Sequence, residues 1–300
     1  MTNTLNIAVP ASSSSAPLGR AFEDPALRWF AGDDGFCFDV ASADCFARQA
    51  NPVDTDPLIN YNNVTYTRNG AIAEVAGITF AGGGFDFTGV TAPGNFLQVP
   101  NAFEAIQADT NKAWMSVMWF KMPTSADWPA TGRAICGAGN YGSAPDLFTV
   151  YMLTNTGSKD LVIRVSTASG TSTAIVLSNV GSTYSGKVCQ LFVWRTSAGV
   201  TTVRLKSSDS ALTTTSTPVT LATNSATLSG LTWRFGTMTS AQINNNFNAS
   251  GSWAAIDIGA CKWRLYRVFI MSTKNLPSTV TPTSIADADF TDTVARAAFS

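Results

Sequence analysis

The side chains that could do chemistry are few, and they fall in three loops. Asp127-Trp128-Pro129, Asn140-Tyr141 with Asp146, and the stretch from Asn244-Asn245-Asn246 to Trp253 each set an aromatic ring beside amides or a carboxylate. A ring takes the C–H face of a sugar while amides and carboxylates take its hydroxyls, so Trp128, Asn140, Tyr141, Asp146 and Trp253 are the candidate carbohydrate contacts. The competing reading of the same rings is that they cap the core or fill a protein interface, where aromatics are equally favoured.

Catalytic candidates are absent by type. The chain has no histidine, which removes the commonest general base, the Ser-His-Asp and Cys-His arrangements and every His-containing zinc site. Of its acids 17 are Asp and three are Glu (Glu23, Glu74 and Glu104), no two Glu close together. A strand-borne carboxylate pair needs acids at i and i+2 or i+4; Asp287 and Asp289 have that spacing but fall in what reads as a tail. The cysteines at 37, 45, 136, 189 and 261 are odd in number and show no CxxC, which argues against a structural zinc. Cys189 and Cys261 sit in apolar runs and read as small buried hydrophobes. Cys37 and Cys45 would close a short loop in an oxidising compartment. The opening MTNTLNIAVPASSSSAPLGR, however, has neither a basic nor an apolar signal region, which points to folding in a reducing cytosol. The glycines at 82–84 and in GAGNYG (137–142) precede no helix pattern and read as turns rather than phosphate cradles.

The elements that must position these loops are strands. Among 300 residues, 19 Lys+Arg face 20 Asp+Glu, only 13% are charged and 45% are apolar, with 37 Thr, 29 Ser and 19 Asn. The surface is therefore built from hydroxyls and amides, and no cationic excess exists to bind nucleic acid or an anionic membrane. No apolar run approaches 18 residues, so no spanning helix is expected. From about residue 71, short runs bounded by Gly, Pro, Asn and Ser recur: 71–81, 84–89, 95–99, 114–121, 147–153, 160–166, 173–178, 188–196, 200–206, 231–236, 254–258 and 261–271. WMSVMWFK and VCQLFVWRT are apolar on both faces, which places them centrally with cover on both sides. Their tryptophans, with Trp233 and Trp263, are expected in the core. In the last run, strict alternation puts Cys261, Trp263, Leu265, Arg267 and Phe269 on one face and Lys262, Arg264, Tyr266 and Val268 on the other. One of Arg264 and Arg267 is expected to serve as a structural ion-pair partner. Thr196–Gly199 reads as a hairpin turn and 207–230 as a weak edge strand with loops.

Three regions follow. Residues 1–70 read as an N-terminal arm and docking segment, the Ser/Ala/Pro-rich 1–20 leading an irregular, aromatic 22–70 that must pack on something. Residues 71–275 form the sandwich, and 276–300 a short helical C-terminal tail with Thr283 or Ser284 as N-cap.

The order GGGFDFTG, NFLQVPNA, AWMSVMWFKMP, GRAICGAGN with LFTVYML, VCQLFVWRTSAGVTTVRL, LTWRFGTM and IDIGACKWRLYRVFIMSTKNLP resembles the concanavalin A-like, laminin-G-like jelly-roll domains of bacteriophage virion proteins, over roughly 71–300. The resemblance implies an all-β fold, an antiparallel two-sheet jelly-roll sandwich with six or seven strands per sheet. Calcium-binding relatives carry acidic rim loops; here Asp257 is a thin candidate, so neither metal nor other cofactor is assigned. Hydrolase relatives carry a Glu-x-Asp-x-Glu strand, which this chain lacks.

The expected function is that of a non-enzymatic structural protein of a phage particle, a capsid decoration or tail-associated component. It would be synthesised in the host cytoplasm and displayed on the virion surface. Its partners would be other virion proteins, held through the N-terminal segment, and host surface glycan, with neither nucleic acid nor membrane involved. Dimers or trimers of the chain are expected. The alternative is a soluble carbohydrate-binding lectin module, with a polysaccharide hydrolase third.

Overall fold

The structure, a computed structural model, describes residues 27–29, 35–61, 70–74, 76–91, 95–99, 101–103, 106, 113–138, 148–168, 171–221, 232–237, 261–296 and 299, with the backbone alone at 27, 70–74, 138, 148, 166–168 and 171–172. In chain order the strands are β1 (Gly35–Asp39), β2 (Pro57–Leu58), β3 (Gly70–Glu74), β4 (Thr79–Ala81), β5 (Gly84–Asp86), β6 (Asn95–Val99), β7 (Trp114–Lys121), β8 (Arg133–Ala138), β9 (Phe148–Asn155), β10 (Ser158–Ala168) and β11 (Thr171–Leu177). A one-turn helix α1 (Val180–Thr183) precedes β12 (Val188–Arg195), β13 (Val200–Ser207), β14 (Thr213–Thr215), β15 (Val219–Thr220), β16 (Trp233–Thr237), β17 (Arg264–Ser272) and the closing helix α2 (Pro282–Ala295).

These strands form an antiparallel two-sheet sandwich, as expected. The first sheet runs β14-β13-β12-β7-β17-β5-β4, with β1 on β17 and β15 on β13; the second runs β11-β10-β9-β8-β16-β6-β3-β2. They hold nine and eight strands rather than six or seven, because two- and three-residue pieces extend the margins. The single run read at 71–81 is two strands, β3 in the second sheet and β4 in the first. The 254–258 run lies outside the described residues.

Alternation fills the space between the sheets. β7 sends Trp114, Met118 and Phe120 inward, and β12 sends Cys189, Leu191 and Val193, to meet Leu97, Ile135, Val150, Ile163 and Trp233 from the second sheet. Each such side chain contributes roughly 1.5–3 kcal/mol on burial. The opposite faces of the same strands, Met115, Val117, Trp119 and Phe192, form a second apolar layer under α2. The double-sided character read in 114–121 and 188–196 is thus explained: one face meets the other sheet, the other a helix. Trp114, Trp119, Trp233 and Trp263 are buried, and Trp194 is half-buried, stacked 4.3 Å from Phe192.

Three expectations are corrected here. First, residues 35–61 are part of the sandwich rather than an arm. β1 pairs with β17 from Gly35↔Met271 to Asp39↔Arg267, and Phe36, Phe38, Val40, Cys45, Phe46 and Leu58 are core residues. β1 needs glycine at 35, since a Cβ there would lie 1.9 Å from the Ile270 carbonyl oxygen. Residues 1–26 lie outside the described residues. Second, the alternation of β17 flips. The register shifts between Leu265 and Arg267, so Tyr266 is an inserted bulge residue. Beyond it Val268 and Ile270 face the core, while Phe269 and Met271 face α2. Third, the helical tail is present as expected, 14 residues long, but its cap is Thr281 rather than Thr283 or Ser284: the Thr281 hydroxyl accepts from the Ser284 amide while the Ser284 hydroxyl accepts from the Thr281 amide.

Helix α2 is fastened by a buried ionic cluster. Asp289, 1% exposed, accepts from Arg267 Nε at 2.9 Å, Trp119 Nε1 at 2.8 Å and Gln190 Nε2 at 3.0 Å. Arg267 also reaches Asp39 at 3.3 Å, and Arg296, past the helix end, pairs with Asp39 too. Asp289 is therefore a packing residue, not half of a carboxylate pair with Asp287, which pairs instead with Arg204 at 2.8 Å. Among the described residues, no helix is long and apolar enough to cross a membrane.

Candidate ligand-binding cleft

Antiparallel pairing of β7 and β12 sets the last residue of one beside the first of the other, Lys121 opposite Val188. Just before β12, the Gly186 amide bonds to the Pro123 carbonyl and the Met122 amide to the Lys187 carbonyl, at 3.0 and 2.9 Å, which holds Lys187 alongside the end of β7. The backbone reverses there through Gly186 at φ +68°, a left-handed conformation that favours glycine. At the end of β13, Ser208 and Asp209 close the same corner, the Ser208 amide bonding to the Val188 carbonyl at 2.9 Å. Val294 of α2 and Phe299 complete a cleft of about 310 Å³ lined by Lys121, Gly186, Lys187, Val188, Ser208, Asp209, Val294 and Phe299.

The cleft has an aromatic wall and a net positive charge. Phe299 lies 5.3 Å from Trp119, nearly parallel, and edge-on to Tyr266 at 4.8 Å. Lys187 Nζ lies 3.1 Å from both Asp209 oxygens, and Ser207 donates to Asp209 at 2.6 Å. The Ser207 hydroxyl and the Lys187 ammonium hold the Asp209 carboxyl below the usual carboxylate range. The Lys121 ammonium group makes no ion pair or hydrogen bond with any described residue, and its cross-strand neighbour Arg264 is engaged by Asp86 at 2.6 Å. Among the described lining residues, two ammonium groups against one carboxylate leave a single positive charge beside the Phe299 ring, an arrangement suited to a monoanionic group with an apolar face.

The loops singled out from sequence fare differently. Trp128 is buried, 6% exposed, with Nε1 donating to the Leu153 carbonyl at 3.2 Å. Its ring lies so close over Gly181 that a Cβ there would fall 2.5 Å from two ring carbons. It is corrected from sugar contact to cap of the core, because the turn Ser125–Asp127, tied by Lys262 to Asp127 at 2.6 Å, folds the ring inward. Asn140, Tyr141, Asp146, Asn244–Asn246, Trp253 and Asp257 lie outside the described residues. The strand ends that flank them do not meet: Ala138 of β8 lies opposite Trp233, the first residue of β16, whereas 238–260 follows the last residue of β16.

Several other ionisable groups among the described residues are engaged within the fold. Cys37 and Cys45 are buried thiols, one under α2 and the other between the sheets, and they form no disulfide. Burial pushes the thiols of Cys45, Cys136 and Cys261 up to about 12, and that of Cys189 upward as well. For Asp86, burial acts upward but hydrogen bonds from Thr88 and Arg264 outweigh it and bring the group below its ordinary value. The hydrogen bond from Arg48 lowers Asp56, and that from Lys262 lowers Asp127. Both Arg264 and Arg267 are ion-paired, where one was expected. Among the described residues, no group of three or more His, Cys, Asp or Glu is placed to hold a metal ion.

Sequence reading missed Lys121, Lys187, Asp209 and Phe299. The two lysines close one predicted strand and immediately precede another, but the long connection between 121 and 187 hides the pairing that brings them together.

No family model matches the chain, and no curated protein matches it. Solved structures do. The chain is similar to the binding domain of botulinum neurotoxin serotype D/C, with 10% identity and a TM-score of 0.50 over 86% of this chain and 53% of that one. It is also similar to the Trypanosoma rangeli sialidase, with 10% identity and a TM-score of 0.49 over 86% of this chain and 33% of that one. The chain thus spans between a third and about half of the length of these structures, and the likeness to the neurotoxin domain shows the sandwich fold alone.

Proposed function

We propose that this chain is a non-enzymatic attachment protein whose sandwich binds an acidic sugar of a surface glycan in the cleft between β7, β12 and the end of α2. The observation that carries this reading is the cleft itself: an unpaired Lys121, a Lys187–Asp209 pair and the Phe299 ring around one cavity of about 310 Å³. That volume lies at the small end of ligand sites, about 300–1,000 Å³, and suits one or two sugar rings. Support for binding without turnover comes from the carboxylates. Glycoside hydrolysis needs an acid with a raised pKa across from a second carboxylate. Asp56, Asp86, Asp127 and Asp209 are instead held low, each by hydrogen bonds that include a cationic partner.

The same proposal sets the module on a bacteriophage virion, on the strength of the order of pieces from GGGFDFTG to IDIGACKWRLYRVFIMSTKNLP. A soluble lectin module is the second reading. It is favoured by the incorporation of 35–61 into the chain's own sandwich, which removes that part of the expected docking segment.

A glycan array probed with the full chain tests attachment. Binding to uronic- or sialic-acid glycans above their neutral counterparts, lost in Lys121→Ala, is expected, with no shortening of the bound glycan on long incubation. Uniform silence across the array overturns it. Imaging of purified particles decides placement: density for the chain on the surface supports the virion reading, and its absence leaves the soluble lectin.

A further inference from the structure

Sheet edges expose unpaired N–H and C=O groups, and natural proteins blunt them by shortness, proline or charge. The described margins here mostly follow that rule. β2 has two residues, one of them Pro57; β4 and β14 have three each, and β15 two. β11 does not. It is seven residues long, TSTAIVL, with no charge and no proline, and four of the seven are β-branched. It ends the second sheet, pairing with β10 on one side from Leu161↔Leu177 to Ala168↔Thr171. Its other side makes no hydrogen bond to any described residue, and Val176 is 45% exposed, one of two large apolar side chains so open among the described residues.

We propose that the free edge of β11 is an interface for a second copy of this chain, the two β11 strands pairing antiparallel about a two-fold axis and continuing the second sheet from one copy into the other. Antiparallel pairing of a strand with itself is isologous, each residue meeting the partner position that meets it in return. It is penalised whenever like charges come face to face. TSTAIVL brings none, and for the same reason it offers a charged foreign peptide nothing to pair with. The edge is about 24 Å long at roughly 3.4 Å per residue, enough for a full ladder of main-chain bonds. Because α2 and the cleft belong to the first sheet, the pairing leaves both uncovered, and it stands independently of the glycan reading.

Sedimentation velocity of the full chain from low to high micromolar concentration, combined with hydrogen exchange, tests this. A dimer that dissociates on dilution is expected, with alternate β11 amides gaining protection as it forms. Val176→Lys, at an exposed position, is expected to shift the chain to monomer by at least tenfold in dissociation constant without moving the melting temperature. A wild-type chain monomeric throughout, a dimer in which the β11 amides directed away from β10 exchange freely, or those same outward amides already protected in the monomer would each overturn the proposal.

Discussion

Two regions on the outer side of the first sheet use charge in opposite ways. Beneath α2, Asp289 is met by Arg267, Trp119 and Gln190, and Asp39 by Arg267 and Arg296. At the rim beyond the end of that helix, Lys121 meets no described partner and Lys187 shares a half-exposed Asp209. The first arrangement is buried and spends its charges on one another, which holds the helix down. The second has one uncompensated charge beside an aromatic ring. A cluster of ionisable groups is therefore not a site by virtue of its density; what matters is whether its hydrogen-bonding capacity is already consumed.

The contrast breaks most readily at Asp289. Replacing it with alanine leaves Arg267 and the Trp119 indole N–H buried and short of an acceptor, and a loss of about 3–5 kcal/mol in denaturant unfolding is expected. Gly35→Val drives a side chain into the Ile270 carbonyl and should detach β1, with a cost of about 1–3 kcal/mol and faster exchange of the β1 amides. Gly181→Ala, which must displace the Trp128 ring, should cost a similar or smaller amount and alter the near-ultraviolet signal of that indole.

Acid should act on the paired carboxylates. Because Asp56 and Asp86 are lowered in the folded state, their contribution is complete above the ordinary carboxylate range and is lost as pH falls through their depressed folded values. Unfolding followed from pH 6 downward should show that acid limb, and Asp86→Asn should flatten part of it. The smallest effect on stability is expected at Lys121→Ala, within about 0.5 kcal/mol, because that side chain holds nothing in place.

What could be read from the chain followed the same division. Strands with uninterrupted local patterns were legible: 114–121 and 188–196 are central, Thr196–Gly199 is a hairpin turn with Gly199 at φ +80°, and β14 and β15 are the weak edge within 207–230. Features set by distant partners were not. Gly35–Asp39 looks irregular beside Pro25 and Pro52, yet it becomes a strand because β17 offers it an edge. The bulge at Tyr266 leaves no mark in the alternation of 261–271 and inverts its second half. Asp289 reads as a tail acid until the helix is placed over Arg267. At the cleft, Lys121 and Lys187 are visible as strand-terminal charges, but their adjacency depends on a pairing that skips half of the second sheet's strands in sequence, β8 to β11.

The most direct measurement is titration calorimetry of the full chain with a uronic or sialic acid oligosaccharide and with its neutral, carboxyl-reduced counterpart, repeated on Lys121→Ala. Binding of the acidic form that weakens at least tenfold, about 1.4 kcal/mol, both on carboxyl reduction and on the substitution, with the melting temperature unchanged, is the predicted result. Equal heats for the acidic and neutral sugars, or acidic binding indifferent to Lys121, would contradict the assignment of the cleft.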